Sequence, residues 1–534
     1  MNIVTGETMA AIDRVSIQER NIPSLHLMER AGRAVARECH RLCGDPTTPV
    51  LALCGKGNNG GDGFVAARYL QGYGYRPKVL LSHPPEELSE DGQTNWKRFD
   101  SSPIRAWGVW KSEETESWFE GRPVVIDALL GTGVQGAPRP PFDELIELSN
   151  DKSCWALGVD IPSGVNSDTG KAPGAAIRCR ATVTFGLPKT GHFLREGLDL
   201  TGSLSIANIG FAEDLLEKAD SQAFLLTPEW ASRALPRYPI STHKGARGRA
   251  LIVAGSPNLM GAGLLCAKAA LATGSGLVTL ALPESLNGAA KATVPEVMTL
   301  PLAQTTDGAI STKGLETALR FAESVDALAV GPGLGRDPET ELFVHEFLER
   351  SGAPLVLDAD GINSFQRKTH GELLVKRREP TVMTPHPGEL ARFLGVSVGD
   401  IESDRWGVST SLVEDLNVTL VLKGAATVIA SPDRKLLLNR SGHPAMAQGG
   451  MGDALTGAIV SFLGQGLDPH TAAALGVYLH GRAGEYAARS GTAYSISASQ
   501  LISHISEALN ELLAFSTSRQ WASSPKSIRK EKGT

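Results

Sequence analysis

Cysteine is scarce, with six residues in a chain of 534. That excludes a disulfide framework and leaves hydrophobic burial to hold the fold. Cys39 and Cys43 bracket His40 on one helical stretch, but no second ligand pair follows, so no zinc site is expected there. No uncharged apolar run approaches the ~18 residues that span a bilayer. The N-terminal MNIVTGETMAAIDRVS has neither a basic n-region nor an apolar h-region, so no signal peptide is expected. A net charge of −6 gives no pull toward nucleic acid or an anionic membrane. No G-x-x-x-x-G-K-[ST] string occurs, which excludes a P-loop grip on any nucleotide. A reduced, cytoplasmic protein that acts on small molecules is the expectation.

What is present is apolar and rich in glycine. Hydrophobic residues at 42% and charged residues at 21% describe a globular chain with ample core, and 534 residues exceed one ordinary core. Apolar β-rich runs alternate with helical patterns twice over. The first series comprises Pro49–Cys54, Pro77–Ser82, Pro123–Leu130, Trp155–Pro162 and Ala181–Leu187. A charged stretch then breaks the rhythm, and a second series runs from Arg249–Ser256 to TLVLKGAATVIAS, followed by an Ala-rich helical region from Met451 to Asn510. Continuous apolar strands of this kind predict α/β architecture with parallel sheets covered on both faces. The boundaries predicted are a first domain over 1–220, a second over 221–516, and a polar, basic, disordered tail over 517–534.

The densest glycine cluster is LCGKGNNGGDGFVAA, Leu53 to Ala67. Gly55, Gly57 and Gly60 fit G-x-G-x-x-G, the dinucleotide fingerprint. Its usual acidic partner about 20 positions on is missing, since the next strand, PKVLLSH, carries no carboxylate. Two further strands end in polar loops, Asp127 followed by ALLGTGVQGAPR and Asp160 followed by IPSG. In an open parallel sheet such ends face one crevice. Amides at Gly131, Thr132 and Gly133 can form an anion-binding nest, and Asn59, Asp127 and Ser163 offer oxygens that a hard cation accepts.

GNNGGDG with DALLGTGVQG and DIPSG resembles the N-terminal domain of NAD(P)H-hydrate epimerases, and the likeness extends through Thr201–Phe211. The resemblance implies a Rossmann-like fold and a hydrated nicotinamide cofactor bound with potassium. Substrate contacts are implied at Asn58, Asn59, Gly60, Gly61 and Asp62, at Gly131, Thr132, Gly133, Val134, Gln135, Gly136 and Ala137, and at Asp160. Potassium is implied at Asn59, Asp127 and Ser163, and Asp160 is the candidate acid/base group. The family's M-E-N-A-G is MERAG here, so Arg30 replaces an amide and cannot accept hydrogen bonds.

In the second half GGMGD, Gly449–Asp453, opens a helix, where free N–H groups and the positive dipole end suit an anion. An aspartate beside them suits a base that deprotonates a hydroxyl attacking a phosphoryl group. With KGAAT, TPHPGE and VGPGLG, the domain resembles ribokinase-like, ADP-dependent NAD(P)H-hydrate dehydratases. That resemblance implies nucleotide binding by Lys423, Gly424, Ala425, Ala426, Thr427 and Gly452, and hydrated-cofactor contacts at Ala262, Gly333, His386 and Asp453. ADP as phosphoryl donor and Mg2+ are implied with it. The chain as a whole is then expected to epimerise R and S forms of NADHX and NADPHX and to dehydrate the S form, and a homo-oligomer is expected. The alternative is a vitamin-precursor or sugar kinase fused to a nucleotide-binding sensor.

Overall fold

The computed structural model describes residues 1–111, 115–133, 135–432 and 434–517. The chain forms two compact units that divide between Ala223 and Phe224. Val134 and the residues after Thr517, which include all but the first residue of the expected tail, lie outside the described residues.

The first unit opens with helices α1 (Gly6–Gln18) and α2 (Ser24–Cys43). Strand β1 (Val50–Cys54) leads into helix α3 (Asn58–Gly72). The remaining strands are β2 (Lys78–Leu81), β3 (Trp107–Val109), β4 (Val124–Ala128), β5 (Trp155–Val159), β6 (Cys179–Phe185) and β7 (Ser203–Ala207). They form one seven-stranded sheet in the order β3-β2-β1-β4-β5-β6-β7. Every neighbouring pair is parallel. Every residue of β1 and β4 is buried, as a central parallel strand covered on both faces requires. The short β3 and the half-buried β7 were not among the expected strands; neither forms a continuous buried apolar run.

The expected loop NNGGDG is instead the first turns of α3. Glycine and asparagine are poor helix formers, so packing decides. A Cβ on Gly60 would sit 1.9 Å from the Gly55 carbonyl oxygen, one on Gly61 2.5 Å from the Met28 Sδ, and one on Gly63 2.7 Å from the Cys54 Sγ. The glycines let α3 lie against β1 and α2 at a distance that side chains would forbid.

In the second unit β8 (Arg249–Val253) leads through a short loop into helix α4 (Met260–Thr273). Strands β9 (Leu277–Pro283), β10 (Met298–Leu302), β11 (Ala327–Val330), β12 (Leu355–Leu357) and β13 (Thr381–Met383) follow. Helix α5 (Pro387–Leu394) precedes β14 (Thr419–Leu422), β15 (Thr427–Ala430) and β16 (Leu436–Asn439). These strands are ordered β16-β15-β14-β13-β12-β11-β8-β9-β10. The sheet is parallel from β10 to β14, and β15 and β16 join antiparallel. The single run TLVLKGAATVIAS is therefore two antiparallel strands joined at KGAA. The Ala-rich region divides into α6 (Met451–Gly464), α7 (Pro469–Ser490) and two further helices over Ala498–Ser503 and Ile505–Thr517.

Candidate functional sites

In the first unit the C-terminal ends of β1, β4 and β5 converge. No side chain caps α3; the Gly60 and Gly61 amides turn to the Gly57 carbonyl, and the Asn58 and Asn59 amides before them are open to an anion. The loop after β4 lies over this end: a Cβ on Gly131 would be 3.5 Å from that of Asn59. Thr132 continues that loop and accepts a bond from the Ser167 Oγ (3.2 Å), while Ala137 packs where a Cβ on Gly174 would reach it at 2.9 Å. Val134 lies outside the described residues.

Asn59, Asp127 and Ser163 are drawn together around the Leu130 backbone. The Asn59 Nδ2 donates to the Leu130 oxygen at 3.0 Å, leaving the amide oxygen free to turn to a ligand. Ser163 donates to Asp127 through both its amide (2.7 Å) and its hydroxyl (2.5 Å), and its Oγ accepts from the Leu130 amide at 2.9 Å. Burial pushes the Asp127 carboxyl up to about 6, with the Ser163 bonds opposing the rise. An amide oxygen, a carboxylate and a hydroxyl form an oxygen-only donor set, which fits a hard cation.

Asp160 stands at the end of β5 with φ of 66°, a left-handed conformation uncommon outside glycine. Its Oδ1 accepts from the Thr184 hydroxyl at 2.9 Å and is ion-paired with the Lys189 ammonium. The His192 Nε2 donates to the Asp160 carbonyl at 2.9 Å. Burial alone would raise this carboxyl; Lys189 outweighs it and holds the group below the ordinary carboxylate range. Arg30 is exposed and donates to the Ile209 carbonyl at 3.3 Å, so it ties α2 to the end of the β7 segment.

The second unit gathers its functional side chains around Asp358, at the end of β12. Its Oδ1 accepts from Lys423 (2.9 Å) and the Thr384 hydroxyl (2.8 Å), and its Oδ2 from the Thr456 hydroxyl (2.8 Å). Lys423 lies 3.7 Å from Glu389, whose other role is the cap of α5: Glu389 accepts the His386 amide while the His386 Nδ1 accepts the Gly388 and Glu389 amides. Burial lowers the Lys423 ammonium, but Asp358 and Glu389 prevail and hold it above the ordinary lysine value. Arg405 donates to the Leu422 and Lys423 carbonyls, both at 3.0 Å, and so braces the KGAA turn that carries Gly424, Ala425 and Ala426; the Thr427 hydroxyl closes that turn onto the Gly424 oxygen at 2.9 Å.

Helix α6 begins at Gly450 in a left-handed conformation, with no side-chain cap. A Cβ on Gly452 would lie 3.3 Å from the Lys423 Nζ, so the first turn of α6 sits directly on the lysine. Asp453 occupies that turn, and burial and Asp358 push it up to about 7 against the pull of Lys423. Gly333 and Ala262 adjoin each other, since a Cβ on Gly333 would lie 2.9 Å from the Ala262 Cβ. The Gly335 amide donates to Asp360 at 2.9 Å, two residues beyond Asp358. The structure thus brings His386, Lys423, Gly452 and Asp453 to one place, together with Asp358 and Glu389, which, like Lys189 in the first unit, were not foreseen.

A family model described as NAD(P)H-hydrate dehydratase matches residues 250–507. A second, described as YjeF-related protein N-terminus, matches 24–191. A bifunctional NAD(P)H-hydrate repair enzyme of Moorella thermoacetica is 40% identical over 517 residues, covering 96% of this chain and 97% of its own. The chain belongs to the family of bifunctional NAD(P)H-hydrate repair enzymes. The repair enzyme of Escherichia coli is 36% identical over 469 residues, 87% of this chain and 86% of its own. A solved ADP/ATP-dependent NAD(P)H-hydrate dehydratase from Bacillus subtilis is 30% identical, covers 54% of this chain and 98% of its own, and superposes with a TM-score of 0.48. In this repair enzyme Lys423 is, among the described residues, the one ammonium paired with Asp358, which is 1% exposed. Lys423→Met is expected to destabilise the second unit by about 3–5 kcal/mol, the loss typical of a buried charge left unpaired. Urea unfolding of the full chain measures it; an unchanged midpoint would show that the two threonines suffice.

Proposed function

We propose that the first unit interconverts the epimers of hydrated NADH and NADPH and that the second dehydrates one epimer with ADP as phosphoryl donor. The observation that carries the second half is Asp453 in the first turn of an uncapped helix, against Lys423. The hydrated ring holds its hydroxyl on saturated carbon 6. Hydroxide is a poor leaving group, and a phosphate ester is a good one. Asp453 takes the hydroxyl proton as the oxygen attacks the terminal phosphoryl group, giving AMP. The open amides of α6 hold the charge that develops on that group. The ring nitrogen's lone pair then expels phosphate, and loss of a proton from carbon 5 restores the 5,6 double bond. Ala262, Gly333 and His386 border the space for the ring, and the KGAA turn that for the nucleotide. Magnesium would enter on the nucleotide's phosphates, since no described cluster of three His, Cys, Asp or Glu side chains could hold it alone.

In the first unit the phosphates would lie on the open amides of α3 and on the loop after β4. Potassium would be held by Asn59, Asp127 and Ser163, where its charge offsets that of the substrate phosphates. Asp160 handles the proton of the 6-hydroxyl. A site built around one configuration at carbon 6 cannot position the other, since a ~1 Å misplacement can cost 10²-fold. The first unit removes that limit.

Asp453→Asn keeps the size and polarity of the side chain and removes the proton acceptor. Dehydration is expected to fall by about 10²–10⁴-fold with epimerisation preserved. Only ionised Asp453 accepts a proton, so kcat/KM for dehydration should rise with pH and level above about 7, and this limb should vanish in the variant. Full dehydration by Asp453→Asn would remove it as the base.

Asp127→Ala removes the one carboxylate of the potassium set. Epimerisation is expected to lose its potassium dependence and to show a raised KM. Titration of activity with KCl decides it, and an unchanged curve would take the cation away from these residues.

A further inference from the structure

Lys189 follows β6 in the segment GLPKTG. Its side chain is 1% exposed, and all three ammonium protons are engaged: by Asp160 Oδ1, by the Thr184 hydroxyl at 2.9 Å and by the Phe185 carbonyl at 3.4 Å. The chain on both sides is pinned as well. Val4 bridges Lys189 through the Pro188 carbonyl and the Thr190 amide, and the Lys189 amide donates to the His192 Nδ1 at 3.0 Å. The ammonium therefore has one position, and so does the carboxylate that it holds.

Asp62 is in the opposite situation. It is 9% exposed, and its carboxyl has no hydrogen-bond partner among the described residues. With no donor to offset it, burial of this carboxyl favours the protonated form. Burial, followed by Asp160 and Asp13, pushes Asp62 well above the ordinary carboxylate range. Asp13, on α1, is itself raised by burial and by Asp160, with Arg14 and Lys189 opposing. Among the described residues, Lys189, His192, Asp62 and Asp13 are charged or titratable groups that interact with Asp160, and the Lys189 ammonium bonds it.

We propose that Lys189 is the positioning residue, and Asp62 the proton donor, of an acid–base pair completed by Asp160. This rests on the epimerase reading of the first unit and extends it. Two neighbouring carboxylates in unlike surroundings divide into an anion and an acid. Asp160 takes the proton of the 6-hydroxyl, and the freed O–H electron pair becomes the second bond of a carbonyl at carbon 6. The bond from carbon 6 to the ring nitrogen breaks with its electron pair left on nitrogen, and that nitrogen takes the proton of Asp62. Rotation about the bond between carbons 5 and 6 presents the other carbonyl face. The same steps in reverse close the ring with inverted configuration and return both protons.

The test compares the full chain with Lys189→Met, Lys189→Arg and Asp62→Asn. Epimerisation of one purified NADHX epimer is followed by proton NMR across pH, and dehydration of the S epimer with ADP serves as control in the same samples. Asp62→Asn should lower kcat for epimerisation by about 10²–10⁴-fold and abolish the decline of rate at high pH that reports deprotonation of the acid. Lys189→Met should lower kcat more than tenfold, leave KM within threefold and displace the pH profile, while Lys189→Arg restores the profile toward that of the unaltered chain. A full rate with Asp62→Asn, or a Lys189→Met protein with unaltered kcat and pH profile, would overturn the proposal. An unaltered chain that fails to epimerise would instead overturn the reading on which it rests.

Discussion

In each unit one lysine ammonium is held against an aspartate at the end of a strand, and neighbouring side chains are arranged around that pair. Asp160 with Lys189 and Asp358 with Lys423 are the same device on two sheets. A carboxylate buried alone is disfavoured by several kcal/mol, and pairing offsets this only when the remaining lone pairs are also satisfied. Asp358 meets that condition on both oxygens, through Lys423 and Thr384 on Oδ1 and Thr456 on Oδ2, whereas at Asp160 the Lys189 and Thr184 bonds both fall on Oδ1. The fixed anion then acts on its neighbours. Asp62 and Asp453 are both partly desolvated, both face the anchored charge, and both are shifted toward the protonated form. A carboxylate of fixed charge beside one with a raised pKa is what proton transfer near neutral pH requires.

The alternation of apolar strands and helices made both α/β units legible, because continuous burial of parallel strands writes itself into the sequence as runs such as VLALC and VVIDA. The loops after β1, β4 and β5 were legible for a related reason: polar residues following such a run lie at the sheet end where a crevice opens. Other features were not. NNGGDG reads as a loop by propensity, and only the contacts of Gly60, Gly61 and Gly63 explain a helix there. The KGAA turn is hidden inside an apolar run, since both strands that it joins are buried.

Lys189 and Asp358 escaped for different reasons. Lys189 lies 29 residues from Asp160 in sequence, and no spacing rule links a lysine after one strand to an aspartate after its neighbour. Its one visible sign is a cation set directly behind the buried run ATVTFGL. Asp358 in LDADG was within reach, because it ends a buried strand as Asp127 and Asp160 do.

Joining the two activities in one chain makes sense only if both epimers are consumed. The most direct measurement supplies the full chain with an equimolar mixture of R and S hydrated NADH and follows the absorbance of restored dihydronicotinamide. With ADP, the account requires conversion of the whole mixture, with phosphate and AMP released in equal amounts. Without ADP it requires interconversion of the epimers and no absorbance gain. Conversion that halts at half, or a stable phosphorylated product, would contradict it.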